Sequence, residues 1–156
     1  MPGAGIDCWL TACNLFADIK AKTEAALASL SKTKVDGFAW WQGESDASVG
    51  ARKVYAAKFD QVMAKFKAEP WFAVDTPILI FGVSEYVSPY ETSFKALNSI
   101  LRSIVGREPE NRRFVPTAIY PVPYWEPAVS NFHMTPDGYY YVGGDAAREW
   151  LGSFGQ

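Results

Sequence analysis

The sequence holds little of what metal, redox or nucleic-acid chemistry needs. Its 156 residues include one histidine and two cysteines. Cys8 and Cys13 stand five positions apart at what reads as the start of a helix. Helical pitch would turn them to different faces, so they are not expected to pair. There is no further thiol for a zinc site, and compartment rules then favour a reducing environment. No metal and no organic cofactor is implied. The net charge is −2 and no basic run exceeds Arg112-Arg113, so no nucleic-acid partner is expected. The longest apolar run, Ile78 to Val83, is interrupted by Gly82 and is far too short to span a membrane. Met1-Pro2-Gly3-Ala4-Gly5 shows neither the basic nor the apolar region of a secretory signal. The localisation stays unassigned. No repeat, linker or low-complexity tract appears.

What is present is a globular composition. Hydrophobic residues make up 49% and charged residues 21% of the chain, which excludes disorder. The length suits one domain with one core, over residues 1–156. Six Trp and eight Tyr suit a core, an interface or a sugar-binding cleft, and composition does not choose among them.

Along the chain, helical and strand patterns alternate. Leu10 to Leu30, with Leu15, Phe16, Ile19, Ala26 and Leu30 largely at helical spacing, predicts one amphipathic helix. Gly37 to Trp41 is a short apolar run, as a strand covered on both faces would be. Ser48 to Lys67 returns to helical period and Pro70 stops it. Thr76 to Val83 is the clearest buried strand, with Pro77 near its start where a missing donor is tolerated. Pro89 to Val105 predicts a third helix ending at Gly106, and Arg113 to Tyr120 a third strand. After a Pro-rich aromatic loop, Pro121 to Pro127, a last helix runs to Leu151 with Thr135 as N-cap and Pro136 in its first turn. Such alternation means a parallel sheet with right-handed crossovers. Reactive groups then gather past the strand C-termini, at Gln42 to Asp46, Ser84 to Ser88, and Tyr120 to His133.

The first of these places reads Trp40-Trp41-Gln42-Gly43-Glu44-Ser45-Asp46. Taken generically, it is a strand-to-helix turn in which Ser45 or Asp46 caps the next helix. The string also resembles the W-x-QGESD motif of the sialate O-acetylesterase-like and acetylxylan-esterase-like members of the SGNH hydrolases. That resemblance implies that the Gln42 amide donates to the oxyanion of an acyl-transfer intermediate, while Glu44 and Asp46 brace the loop. Ser130 to Tyr139 resembles the family's D-x-x-H segment leading into a helix, which makes His133 the implied general base. The position of the family's acid is Ser130 here, so Glu126, Asp137 or a backbone carbonyl is left to orient the imidazole. Gly3 to Trp9 resembles the family's GGTSI-x-x-W segment, with Gly3 the aligned oxyanion-hole glycine. Read without the resemblance, the same residues are a flexible terminus.

The resemblance implies a three-layer α/β/α, flavodoxin-like parallel sheet of which this chain is the C-terminal two-thirds, incomplete at its N-terminal strands. The family's nucleophilic serine has no counterpart: Ser84 lacks flanking glycines, and Ser45 occupies a position the family uses differently. Gly37 to Trp41 becomes an edge strand, which invites pairing. An N-terminal segment, a second polypeptide or another copy of the chain is expected to cover it. The implied function is the larger part of a serine esterase that deacetylates carbohydrate, with Tyr124 and Trp125 lining the sugar site or simply packing their loop. The alternatives are a non-catalytic structural module that keeps the hydrolase scaffold, as in a phage or multi-subunit assembly, and a module that binds saccharide without cleaving it.

Overall fold

The computed structural model describes residues 4–11, 13–87, 89–126 and 133–155. Its element order is α1 (Asp7–Leu10), α2 (Leu15–Ser29), β1 (Phe38–Trp40), α3 (Val49–Lys67), β2 (Ile78–Phe81), α4 (Glu91–Val105), β3 (Arg112–Val115) and α5 (Pro136–Ser153). Two short 3-10 turns, Glu44–Asp46 and Val122–Tyr124, lie between them.

The three strands form one parallel sheet in the order β1-β2-β3. Every residue of β2 is buried, as a central strand covered on both faces must be. Ile78 and Ile80 face a core built from α2, α3 and α4, in which Tyr55, Phe59, Phe66, Phe94, Leu97 and Leu101 are buried. Leu79 and Phe81 face the opposite side, where Val115, Trp125, Met134 and the α5 residue Val142 close over them. The molecule is thus a three-layer α/β/α fold with an incomplete, three-stranded flavodoxin-like sheet.

β1 is an edge strand, and Ala39 at its centre is exposed. The expectation of a strand covered on both faces is corrected here: Phe38 and Trp40 pack inward, but Ala39 on the other face stays exposed. The third strand also ends sooner than its apolar pattern suggests. It stops at Val115 because Pro116 has no N–H to continue the ladder. The continuous helix over Leu10 to Leu30 is two helices instead. α1 ends after one turn at Leu10, and Thr11 leaves helical backbone with φ −147°.

That break overturns the reading of the cysteines. Cys8 and Cys13 are joined by a disulfide with Cα atoms 4.3 Å apart. The break in the helix turns the chain back on itself and brings the two thiols together, and it removes the ground for expecting a reducing environment. α1 is held by the buried Ile6 and by Trp9, whose ring packs 5.1 Å from that of Trp40.

Caps place the helices that frame the site. Ser48 caps α3 by accepting from the Ala51 N–H at 3.4 Å, so neither Ser45 nor Asp46 takes that task. Thr135 caps α5 by accepting from the Gly138 N–H at 3.2 Å, with Pro136 opening the helix. Among the described residues no helix is long and apolar enough to cross a membrane.

Candidate active site

The loops past the C-termini of the three strands form one surface. Its centre is the turn from Gln42 to Asp46 after β1. Gly43 adopts φ +148°, a conformation that side chains disfavour, and a Cβ there would stand 2.8 Å from Leu97 Cδ2 on α4. Glycine is required on both counts, and it lets the loop drop onto α4.

Gln42 is held from three directions. Its Nε2 donates to Asp46 Oδ2 at 2.7 Å and to the exposed Ala4 carbonyl at 3.1 Å. Its Oε1 accepts from the Tyr55 hydroxyl at 2.9 Å, and that hydroxyl accepts in turn from Trp40 Nε1 at 3.1 Å. Burial raises the Tyr55 hydroxyl pKa above its ordinary value, so it stays a donor at neutral pH. Donors on one side and acceptors on the other fix the amide's orientation. Asp46 is buried and also accepts from the Ile6 N–H at 2.8 Å, which ties the segment before α1 to the loop after β1.

Glu44 is half-buried beside this network. Burial pushes its carboxyl above the usual range, and its own backbone N–H, the charge of His133 and the Gly43 N–H pull it back only in part. The histidine is exposed. Its carbonyl accepts from the Glu126 N–H at 2.9 Å, and the Thr135 N–H donates to the Tyr124 carbonyl at 2.9 Å. Trp125 and Met134 form the bridge between these two bonds. Gly138 sharpens the approach, since a Cβ there would stand 2.4 Å from the Tyr124 carbonyl.

The other expected site residues fall as follows. Glu126 meets His133 through its main chain, and Asp137 is exposed in the first turn of α5. Gly3 and Ser130 lie outside the described residues. Tyr124 is half-buried, with its ring edge-on to those of Tyr120 and Tyr141. Trp125 is only 1% exposed and donates Nε1 to the Tyr120 carbonyl. It has no free face for a sugar, so its expected substrate contact is corrected to a core role. Ser84 is also 1% exposed, and its hydroxyl accepts from the Tyr86 N–H at 3.2 Å. Among the described residues, no group of three or more His, Cys, Asp or Glu side chains is placed to hold a metal ion.

Two supporting residues escaped the sequence reading. Tyr55 is one. The other is Asn98 on α4, whose side chain bonds both the N–H and the carbonyl of Val83, at 2.9 and 3.0 Å, and Glu85 at 2.8 Å. It clamps the loop after β2. Asn98 was detectable as a polar residue in the apolar stripe of Phe94, Leu97, Leu101 and Ile104, because a buried amide needs partners.

Residues 1–120 match the family described as carbohydrate esterase, sialic acid-specific acetylesterase. The chain belongs to this carbohydrate esterase family. The matched residues take in the Gln42 turn, the Asn98 clamp and all three strands of the esterase sheet, while His133 and α5 lie beyond them. No curated protein matches the sequence.

Proposed function

We propose that this chain is the larger part of an esterase that removes acetyl groups from carbohydrate hydroxyls, with the serine nucleophile supplied from outside the chain. The observation that carries the reading is the locked orientation of Gln42, at the C-terminal end of β1. In this mechanism His133 takes the proton of the incoming serine as its oxygen attacks the acetyl carbonyl. Gln42 Nε2 releases the Ala4 carbonyl and donates to the oxyanion of the tetrahedral intermediate. Collapse expels the sugar alkoxide, which takes the proton back from His133. Water then hydrolyses the acetyl-enzyme by the same route. Glu44 orients and stabilises the imidazolium, a role that Glu126, joined to His133 through the main chain, also stands near enough to share. The free edge of β1 is where the completing strand pairs, whether it comes from an N-terminal segment, a second chain or a second copy.

The test is native mass and acetyl-ester hydrolysis on one sample, with His133→Ala as control. A serine-bearing partner and a loss of roughly 10³–10⁴-fold in turnover on His133→Ala support the reading. Full turnover by His133→Ala sinks it. The burial of Ser84 favours a second reading, a non-catalytic module that keeps the scaffold. An inert chain with no partner decides for that one.

A further inference from the structure

Three consecutive tyrosines open α5, and a helix cannot turn all three toward the sheet. Tyr139 lies edge-on to Trp41 at 5.5 Å between ring centroids, on the β1 side of the helix. Tyr141 lies edge-on to Tyr124 at 5.2 Å, on the opposite side, and Tyr140 lies edge-on to Tyr141 at 5.6 Å. Tyr140 remains 78% exposed and Tyr141 49%. With Tyr139, Gly143, Gly144 and Arg148 they line an open groove of about 550 Å³. A Cβ at Gly143 would meet nothing within 4 Å, and one at Gly144 would meet only Arg148, at 3.6 Å. The groove is therefore walled by tyrosine rings and floored by helix without side chains, with the Arg148 guanidinium, paired to Asp145, at its end.

We propose that the Tyr140–Tyr141 groove on α5 binds a pyranosyl unit of a glycan chain that extends from the candidate active site. The inference rests on the carbohydrate-esterase reading. An edge-on pair covers at most one face of one ring, so the exposed Tyr140 and Tyr141 keep ring area for the apolar C–H face of a pyranose, while the tyrosine hydroxyls and the Arg148–Asp145 pair suit its hydroxyl rim. The ionic pair is neutral as a whole, so the groove calls for sugar hydroxyls rather than a sugar carboxylate. Continuity with the site is direct. Tyr141 packs on Tyr124, and the carbonyl of Tyr124 holds the backbone of Thr135, two residues from His133.

Affinity electrophoresis through gels containing acetylated xylan, deacetylated xylan or sialylated mucin tests this. The wild-type chain is expected to be retarded in at least one gel. Each of Tyr140→Ala and Tyr141→Ala should weaken retention by about two- to tenfold, whereas Tyr140→Phe and Tyr141→Phe should keep it. Retention on xylan should survive deacetylation, because this groove does not read the acetyl group. Circular dichroism of each variant separates lost binding from lost fold. Absence of retention in all three gels, or retention indifferent to both alanines, overturns the groove and leaves the esterase reading to its own hydrolysis test. A dimer of this chain that Tyr140→Ala dissociates also overturns it, in favour of self-association.

Discussion

The hydroxyl of Tyr55 on α3 donates to the side-chain oxygen of Gln42 at 2.9 Å, thirteen positions back along the chain. This bond decides which end of the amide faces α3 and which faces the open loop. Tyr55→Phe keeps the ring in the core but removes this bond, the one to the Gln42 carbonyl and the acceptor of Trp40 Nε1. We expect a stability loss of roughly 1–3 kcal/mol. Turnover of the completed enzyme should fall by a smaller factor than the roughly 10²–10³-fold expected for Gln42→Ala. Urea denaturation and acetyl-ester kinetics measure the two, and unchanged kinetics in Tyr55→Phe would discard the orienting role.

Glu44 predicts a pH effect of definite sign. Burial raises its carboxyl, so the folded chain holds that proton more tightly than the unfolded chain does. The associated stability is present at acid pH, below the unfolded value, and is lost as pH rises through the raised one. Glu44→Gln should therefore melt above wild type near pH 7, and the gap should close toward about pH 4, where both side chains are neutral. Its turnover should nonetheless fall if the carboxylate steadies His133. A gap in melting temperature that ignores pH would contradict the assignment.

Gly43 tests the loop itself. Gly43→Ala forces a side chain into a positive-φ conformation and against Leu97. We expect a cost of roughly 1–3 kcal/mol in chemical denaturation and a displaced Gln42. Wild-type stability in this variant would show that the turn relaxes freely.

Asn98 tests the second loop. Asn98→Ala leaves the Val83 N–H and carbonyl without their partners, and should cost roughly 1–3 kcal/mol. Asn98→Asp keeps an acceptor for the N–H but sets a carboxylate against Glu85 and the Val83 carbonyl. Its deficit should grow as pH rises past the ordinary carboxylate range. Equal deficits at acid and neutral pH would argue against a Glu85 contact.

How far the sequence could be read follows from where each signal lives. β2 was legible because a strand buried on both faces is apolar at every position. The start of α5 was legible because Thr135 and Pro136 are local capping chemistry. The break between α1 and α2 was not, because Leu10 to Leu30 is made of good helix formers. The burial of Ile6, the packing of Trp9 on Trp40 and the Cys8–Cys13 bond are tertiary facts that override local preference. Trp125 misled for a related reason. A ring in a Pro-rich loop reads as surface, but the Tyr120 carbonyl supplies its indole N–H with a partner that lets the whole side chain go inside. Gln42 was visible through its motif, whereas Tyr55, which orients it, looked like one more aromatic of the α3 core.

The bond from the Ile6 N–H to Asp46 spans 40 positions of sequence. Closing a loop of that size costs about 3 kcal/mol in chain entropy, whereas the bonds from Gln42 to Asp46 and Tyr55 span only 4 and 13 positions. Pairing of β1 with β2 closes the same span, from Phe38 to Ile78, so the tie between the segment before α1 and the Gln42 turn belongs with the long-range sheet contacts and forms after the local turns and helices. Amide exchange at Ile6 then reports whether this tie opens on its own or only together with the sheet, and a ligand that bridges the segment and the turn would slow the first without touching the core.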